Sequence, residues 1–314
     1  MDMSKKLLNV SIALIFYQNK VLVGWREAKQ HQGNKYEFPG GKVEAGETAE
    51  QACYREIQEE VGITLDSLQK FDQITHEYDD LIVALHIFQV GISTAQWGQI
   101  KAPWQWYNRS ELLSLNFPKA NQSIVERLYW PNSIRIINAD AVTDLTSVLN
   151  QAGVSYLRHA HADADQKLLV QQLGQAFNAT SFVKSTKQEL IVNFKLWQQL
   201  DLELREQIYA VHFSHQQLMQ LNLHDVPFSM KKMASCHDQQ SIQKAIELGM
   251  DAVFLSPVLD TPTHPKQPGL GWVEFQQLAA QIQVPVFALG GMHPELLQQA
   301  QLHGAYGIAG IRNF

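Results

Sequence analysis

Three glutamates in one predicted helix have the spacing in this chain that points most directly to chemistry. Glu56, Glu59 and Glu60 stand at i, i+3 and i+4, so a helix places their carboxylates on one face. Like charges at this spacing repel by about 0.2–0.5 kcal/mol per pair, and a bound cation removes that repulsion. Clustered carboxylate oxygens suit Mg²⁺ or Mn²⁺. Taken alone, however, three such glutamates more often indicate a solvated acidic face.

The residues around this helix favour the metal site. The fixed positions of the Nudix box are matched by Gly41, Glu47, Arg55, Glu56, an apolar residue, Glu59, Glu60, Gly62 and a further apolar residue. So many simultaneous matches are not expected by chance. The segment Tyr-Glu-Phe-Pro-Gly-Gly-Lys-Val-Glu-Ala-Gly-Glu-Thr, residues 36–48, resembles the MutT branch of the Nudix family. The similarity covers about residues 7–130.

This resemblance implies a metal-dependent pyrophosphohydrolase. Nudix enzymes hydrolyse nucleoside diphosphates linked to another group, and MutT members convert (8-oxo-)dGTP to the monophosphate and pyrophosphate. The metal ligands that it implies are the Gly40 carbonyl and the side chains of Glu56, Glu59 and Glu60, with Glu47 in support. Glu56 is our choice for the base that activates water, and Arg55 is expected to orient a neighbouring carboxylate.

Four further residues are expected to contact the substrate: Arg26, Phe38, Lys42 and Asn121. The segment Phe117-Pro-Lys-Ala-Asn121 resembles the MutT segment whose Asn hydrogen-bonds a purine. An amide offers both a donor and an acceptor to a guanine-like edge. Simpler alternatives remain, because Asn121 can cap a helix, Phe38 can belong to the core, and Arg26 can be an ordinary surface arginine.

One position departs from the MutT pattern. MutT proteins carry an additional acidic metal ligand in the loop after Trp97-Gly98, where this chain has Ile100. Glu77, Asp79 and Asp80 are neighbouring acids that offer a substitute. The number of bound metal ions therefore stays open.

Periodicity and turn residues indicate the elements that position this site. We expect strands over Leu8–Phe16, Val21–Arg26, Leu81–Val90 and Gln105–Tyr107, helices over Thr48–Val61 and Asn121–Leu128, and a loop rich in Gly and Pro that ends at Gly40-Gly41. With the resemblance, this pattern predicts a Nudix α/β/α sandwich over residues 1–131.

After Pro131, short apolar runs alternate with amphipathic segments. The runs are Ile134–Asn138, Val154–Arg158, Leu190–Phe194, Tyr209–Phe213, Phe228–Ala234, Ala252–Ser256, Val284–Leu289 and Tyr306–Ile311. Eight strands separated by helices predict a compact (β/α)₈ TIM barrel over residues 132–314. The overall fold class is therefore α/β with two domains, as expected at 314 residues.

The second half resembles thiamine-phosphate synthase and its TenI relatives. The resemblance is carried by the segment 255–271, by Ser235-Cys-His237 and by Ala288-Leu-Gly-Gly-Met292. It implies a phosphate or ligand site built from Arg158, His237, Thr261, Thr263, Gly290, Gly291 and Gly310. Glycines at the carboxyl ends of the last strands can aim amide groups at an anion. They are equally typical of tight strand-to-helix turns.

Several residues depart from the synthase pattern. Phe194 stands where an aspartate should follow Asn193, and Gln216-Gln217 supply no carboxylate for the metal-bound pyrophosphate. The strand-6 loop has His264 where the synthase has lysine, and the neighbours of Arg158 are altered. Without these partners the pyrophosphate loses its transition-state stabilisation. We therefore expect no synthase activity, and weigh binding of a phosphorylated thiamine precursor against TenI-like proton transfer by His237.

Composition limits the partners. Net charge is −6, with 18% charged and 45% hydrophobic residues, so there is no basic field for polymeric nucleic acid. No apolar run approaches the ~20 residues that cross a bilayer, and the apolar start fits a strand better than a signal peptide. Cys53 and Cys236 lack metal-ligand spacing and are expected to be reduced thiols. We expect a cytoplasmic protein.

Three hypotheses follow. The leading one is a sanitising hydrolase that cleaves the nucleoside triphosphate (8-oxo-)dGTP. The second is hydrolysis of damaged or unwanted thiamine diphosphate, with the barrel sensing a thiamine precursor. The third makes the barrel a binding module or a homodimer interface that leaves turnover unchanged.

Overall fold

The fold was analysed in a computed structural model that describes residues 5–18, 20–28, 33–78, 81–151, 153–158, 164–179, 189–222, 230–261, 268–311 and 314. Contacts divide the chain into two compact units, residues 1–130 and 131–314. Cys53 and Cys236 are both buried and free. None of the described helices combines the length and apolar character needed to cross a membrane.

The first unit is built on a seven-stranded sheet of order β3-β2-β1-β6-β5, with β4 paired to β1 and β7 paired to β2. The strands are β1 Lys6–Tyr17, β2 Lys20–Arg26, β3 Lys35–Glu37, β4 Gly40–Lys42, β5 Gln69–Glu77, β6 Leu81–Gly91 and β7 Gln105–Asn108. The helices are α1 Ala49–Glu56, α2 Thr94–Trp97 and α3 Gln122–Leu128, with 3₁₀ turns at Glu111–Ser114 and Lys119–Asn121. Only the β1–β6 pair is parallel.

Alternation along β1 explains why helices cover both faces of this sheet. Leu14 and Phe16 join a core cluster that also contains residues of α3, whereas Ala13 and Ile15 join a second cluster with residues of α1. Successive side chains of a strand point to opposite faces, so β1 is buried on both sides. The predicted sandwich is therefore confirmed.

Two predictions in this unit were wrong. The expected loop before Gly40-Gly41 contains β3 and β4, whose pairing with β2 and β1 depends on distant partners. Strand β5 was not predicted, because its Lys70, Gln73 and Thr75 are exposed and polar while only Phe71 is buried. It forms because it pairs along almost its whole length with β6.

The helix of the glutamates is fixed at both ends. The Thr48 side chain accepts a hydrogen bond from the Gln51 backbone amide, and the Thr48 backbone amide donates one to the Gln51 side-chain oxygen, which completes a capping box. The helix then widens into a π-helical turn over Ile57–Val61 and ends at Gly62, whose φ of +78° is left-handed. It buries Ala52, Cys53, Ile57 and Val61 against the sheet.

The second unit is a closed, all-parallel barrel of order β10-β11-β12-β13-β14-β15-β8-β9. Its strands are β8 Ser133–Asn138, β9 Val154–Arg158, β10 Glu189–Asn193, β11 Ala210–Phe213, β12 Lys232–Cys236, β13 Ala252–Leu255, β14 Val286–Leu289 and β15 Gly307–Gly310. Its helices are α4 Leu145–Leu149, α5 Ala164–Ala179, α6 Phe194–Gln199, α7 Leu202–Gln207, α8 His215–Gln220, α9 Gln239–Glu247, α10 Gly271–Ala279 and α11 Leu297–Leu302, with 3₁₀ turns at Ala139–Ala141 and Pro294–Leu296. The predicted barrel is confirmed.

Two of the predicted barrel strands shift along the chain. The strand expected at Phe228–Ala234 begins at Lys232, because the Asp251 carboxylate accepts the Lys232 amide at 2.8 Å and fixes the strand start. Residues 228 and 229 lie outside the described part of the chain. The strand expected to reach Phe194 ends one residue earlier, where the Asn193 side chain caps α6.

A buried histidine lies among the barrel strands. His212 packs between the rings of Tyr156 and Phe254, with ring centroids 4.5 and 5.4 Å away. Its Nε2 pairs with Ser235 Oγ at 2.8 Å, and its buried Nδ1 has no partner among the described residues. Burial lowers the pKa of His212 to about 3, so the folded barrel holds it neutral.

This histidine predicts acid lability of the barrel. Its folded pKa lies below its unfolded pKa of about 6.5, so its stabilising effect is complete above pH 6.5 and is lost as pH falls toward 3. In that window unfolding takes up one proton, which costs the barrel about 1.4 kcal/mol per pH unit. We expect His212→Gln to flatten the fall in barrel unfolding free energy between pH 6.5 and 4.5, measured by hydrogen exchange of the barrel strands. Equal slopes in both proteins would contradict this.

Candidate active site

Arg55 gathers the acidic residues of the first unit. Its Nη2 and Nε donate to Glu47 at 2.7 and 3.2 Å, and its Nη1 donates to Glu56 Oε1 at 2.8 Å. A further Nη2 bond reaches the Lys42 carbonyl at 3.1 Å. These bonds raise the pKa of Arg55 and lower that of Glu47. One guanidinium thus holds the helix, the loop before it and β4 in fixed register.

Two adjacent glycines of β4 receive the carboxylates of the helix. A Cβ on Gly41 would collide with the Glu56 carboxylate, so only glycine leaves this space open. The Gly40 amide donates to Glu60 Oε2 at 3.1 Å. Gly40 also has a φ of +144° and lies directly over the Ser11 carbonyl, where a Cβ would collide. The pair therefore forms a cradle for carboxylate oxygens.

Glu60 is the most perturbed acid of the site. Partial burial of the Glu60 carboxylate is the main cause that raises its pKa to about 7, although the residue still has substantial exposure to solvent. The Gly40 hydrogen bond and the charge of Arg26 act in the opposite direction, while Glu56 and Glu37 add repulsion. A carboxylate in such surroundings is stabilised as an anion by a cation at the cradle.

The donor set fits a hard divalent cation. Glu56, Glu59 and Glu60 supply carboxylate oxygens, which are the ligands that Mg²⁺ and Mn²⁺ prefer. Glu59 is 62% exposed and 3.5 Å from Arg55. Within the described ranges no three acidic, His or Cys side chains are already arranged as a complete ligand set. Metal binding therefore requires side-chain rotation of the glutamates, which the exposure of Glu59 allows.

Glu37 belongs to this site and was missed in the sequence. Both Nε and Nη2 of Arg26 lie 2.6 Å from Glu37 Oε2, and both residues act electrostatically on Glu60. Alternation in β3 offered a signal, because Glu37 stands between Tyr36 and Phe38 and must face the opposite side of the strand.

The other predicted substrate residues differ in exposure. Phe38 is 4% exposed and stacks on Phe117 with centroids 4.9 Å apart, within the core cluster that includes α3. Asn121 is buried at the start of α3, but its side chain makes no capping hydrogen bond, so the helix-cap alternative was wrong. The Lys42 side chain is exposed.

Of the three acids that offered a substitute for the ligand absent at position 100, Glu77 is within the described residues. Glu77 is 64% exposed and is paired with Lys5 at 2.6 Å. Asp79 and Asp80 lie outside the described residues. Ile100 packs against the core cluster that contains α1.

In the barrel, polar residues collect at the carboxyl ends of the strands. Arg158 donates from Nε to Asn138 Oδ1 at 3.0 Å. His237 Nδ1 lies 2.6 Å from the Ser256 carbonyl, which leaves Nε2 as the basic nitrogen. The His215 ring lies 5.0 Å from that of His237, a neighbour that the sequence did not single out.

Backbone conformation and close contacts explain why glycine stands at three of the predicted barrel positions. Gly290 and Gly291 have φ values of +96° and +70°, and a Cβ on either would lie 2.7 Å from Pro257 or Leu259. The space beside Gly310 is filled by the ring of Phe314. Thr261 lies in an irregular segment after β13, and Thr263 lies outside the described residues.

The positions where a synthase would carry acids have other structural tasks. Phe194 stacks on Phe213 and Trp197, with centroids 4.7 and 6.0 Å away. The Gln217 side chain completes the capping box of Ser214 at the start of α8. Neither residue offers an oxygen to a metal-bound pyrophosphate.

Comparison with known proteins separates the two units. The NUDIX domain profile matches residues 11–127, and the thiamine monophosphate synthase profile matches residues 134–314. An 8-oxo-dGTP diphosphatase of Escherichia coli is 37% identical over 125 residues, which is 39% of this chain and 97% of that protein. A putative thiamine-phosphate synthase 2 of Aquifex aeolicus is 29% identical over 134 residues, covering 43% of this chain and 70% of that protein.

The two cradle glycines predict different defects. In Gly41→Ala the new methyl group displaces the flexible Glu56 carboxylate, so we expect activity to fall about 10–100-fold with an unchanged unfolding midpoint. In Gly40→Ala the methyl group meets the Ser11 backbone, so the unfolding midpoint should fall as well. Circular dichroism melting and steady-state hydrolysis measure the two effects. Gly98→Ala is the control, since its nearest contacts are 3.7 and 3.8 Å away; full activity in Gly41→Ala would refute the cradle.

Proposed function

The chain belongs to the Nudix family through its MutT-like first unit and to the thiamine-phosphate synthase/TenI family through its barrel, and from this premise we propose that the first unit cleaves (8-oxo-)dGTP to the monophosphate and pyrophosphate. The observation that carries this proposal is the cradle, in which Arg55 holds Glu47 and Glu56 while the Gly40 amide holds Glu60. The proposed enzyme is a cytoplasmic, nucleotide-sanitising hydrolase.

The residues of the cradle divide the chemical work. Glu56 lies against Gly41, where it takes the proton of the attacking water. Arg55 keeps the Glu56 carboxylate in one orientation through the 2.8 Å bond. Glu56, Glu59 and Glu60, with the Gly40 carbonyl and support from Glu47, would hold Mg²⁺ or Mn²⁺. When bound, that cation neutralises phosphate charge and lowers the pKa of water.

Substrate binding is proposed to start from the Arg26–Glu37 pair. A guanidinium that already lies beside the carboxylate cluster can turn to a phosphate oxygen, for which it has the matching geometry. Lys42 adds an exposed positive charge at the end of β4. The Asn121 amide, which makes no capping hydrogen bond, has a donor and an acceptor for a guanine-like base. Phe38, which stacks on Phe117, is proposed as an apolar wall for that base.

Substrate preference tests the assignment. With Mg²⁺ we expect kcat/KM for 8-oxo-dGTP to exceed that for thiamine diphosphate and oxothiamine diphosphate by at least about 100-fold, or about 2.7 kcal/mol. Asn121→Asp should reduce kcat/KM for 8-oxo-dGTP while leaving the weak thiamine turnover unchanged, because it replaces the amide donor. Steady-state kinetics with dGTP in parallel gives the oxidised-base selectivity.

Glu60→Gln is the blank for these assays, since it removes one ligand charge without changing volume. Preference for a thiamine compound that is lost in Glu60→Gln would reject the nucleotide and keep the Nudix chemistry. Turnover that survives in Glu60→Gln would place the activity elsewhere.

For the barrel we propose binding of a phosphorylated thiamine precursor without synthase chemistry. The amides of Gly291 and Met292 have no acceptor among the described residues and lie before the 3₁₀ turn that begins at Pro294. Successive free amides at such a turn favour an anion. Phe194 occupies the position where the synthase has an aspartate. A group needed for the synthase reaction is therefore absent, whereas the proposed binding does not depend on it.

Calorimetry tests this binding. We expect thiamine phosphate to bind more tightly than thiamine, and Arg158→Gln to remove that difference because the phosphate loses a charged donor. Supplying the pyrimidine diphosphate and thiazole phosphate should yield no thiamine phosphate. Product formation would restore the synthase assignment, and equal affinity for both ligands would reject the phosphate site.

A further inference from the structure

The loop that carries Ile100 is attached to the catalytic helix by a tryptophan. Trp104, just before β7, donates from Nε1 to the Glu60 backbone carbonyl at 2.9 Å. The same ring packs against the core cluster that includes Ile57 and Val61, the buried residues of the π-helical turn. A residue four positions beyond Ile100 therefore contacts the backbone of one of the carboxylates.

This hydrogen bond satisfies an acceptor that the helix itself leaves open. The last carbonyls of a helix have no amide partner further along the chain, and Glu60 lies in the turn that ends at Gly62. The turn closes with a bond from the Gly62 amide to the Ile57 carbonyl, so the Glu60 carbonyl is free to accept the indole. Glu60 is consequently held on two sides, by Trp104 at its backbone and by Gly40 at its carboxylate.

Gly24 of β2 makes the space for this indole. A Cβ on Gly24 would lie 2.7 Å from Trp104 Cζ3 and 2.9 Å from Cε3, which is closer than carbon atoms pack. Gly24 has no left-handed φ, so its need for glycine is steric. A strand interior that accepts a glycine gives up side-chain packing, and here the ring of Trp104 fills that place.

We propose that Trp104 is a positioning residue for the metal site, which fixes Glu60 through its backbone carbonyl in place of the acidic ligand absent at position 100. The inference rests on the proposed metal-dependent hydrolysis. The 97–104 segment acts on the site by holding the helix turn rather than by supplying an oxygen. Ile100, packed in the core cluster that contains α1, anchors the segment from which Trp104 reaches the turn.

Trp104→Phe tests the hydrogen bond, since it removes the indole N–H and keeps an aromatic ring over Gly24. Loss of one such bond corresponds to about 3- to 10-fold. We expect the dissociation constant for Mn²⁺, measured without nucleotide by electron paramagnetic resonance, to rise by that factor. With substrate, kcat should fall while KM and the 8-oxo-dGTP to dGTP ratio stay constant.

Trp106→Phe is the matched control. Trp106 packs against the same core cluster and lies 6.0 Å from the Tyr17 ring, but its indole N–H has no acceptor among the described residues. We expect its Mn²⁺ affinity to equal that of the wild type. Two results would overturn the proposal and show that Trp104 contributes only to core packing. One is an equal loss of Mn²⁺ affinity in both variants, and the other is a lower melting temperature of Trp104→Phe with unchanged Mn²⁺ affinity.

A double-mutant cycle tests whether Gly24 of β2 makes the space that the Trp104 indole needs. Gly24→Ala should displace the indole and weaken Mn²⁺ binding, whereas Gly24→Ala added to Trp104→Ala should cause no further loss. Additive losses would overturn the proposal. Because Mn²⁺ binding is measured without substrate, wrong nucleotide specificity leaves this result interpretable, while absence of any Mn²⁺ binding in the wild type would instead reject the metal site itself.

Discussion

Repulsion among carboxylates is the constraint on which the first unit depends. Glu60 is held by the Gly40 amide and keeps a raised pKa, whereas Glu47 and Glu56 come together because both accept hydrogen bonds from Arg55. Its five donors fit several acceptors at once, so it joins three parts of the chain. The capping box, the glycines of β4 and the π-helical turn set the distances within which this one cation can act.

Local sequence signals made the two ends of the glutamate-bearing helix predictable. Thr48 and Gly62 bound the catalytic helix through contacts within a few residues, so the sequence placed both ends correctly. Strand β5 was missed because its polar side chains gave no alternation, and pairing with β6 decides its structure. Glu37 and Trp104 were missed because their partners lie 11 and 44 residues away. Alternation in β3 indicated only which way Glu37 faces, and no local pattern identifies either partner.

In the barrel, one set of residues determines strand order and closure, and another determines the chemistry of the mouth. The first set is apolar and packs inside the barrel or against its helices. At the mouth, Phe194 packs against Phe213 and the Gln217 side chain caps α8, and neither side chain offers a carboxylate. Fold and activity are therefore separable in this unit, and the fold alone assigns no reaction to it.

The π-helical turn has a consequence for how this enzyme can vary. In such a turn the amides bond to carbonyls five residues back, as the Gly62 amide does to Ile57, so the number of residues in Ile57–Val61 sets the register of Glu60. Removing one residue there would rotate everything after it by about 100° around the axis, turning Glu60 away from Gly40. A change of length in this turn is therefore more damaging than a substitution at its exposed Gln58, and related chains should keep the length of the turn constant.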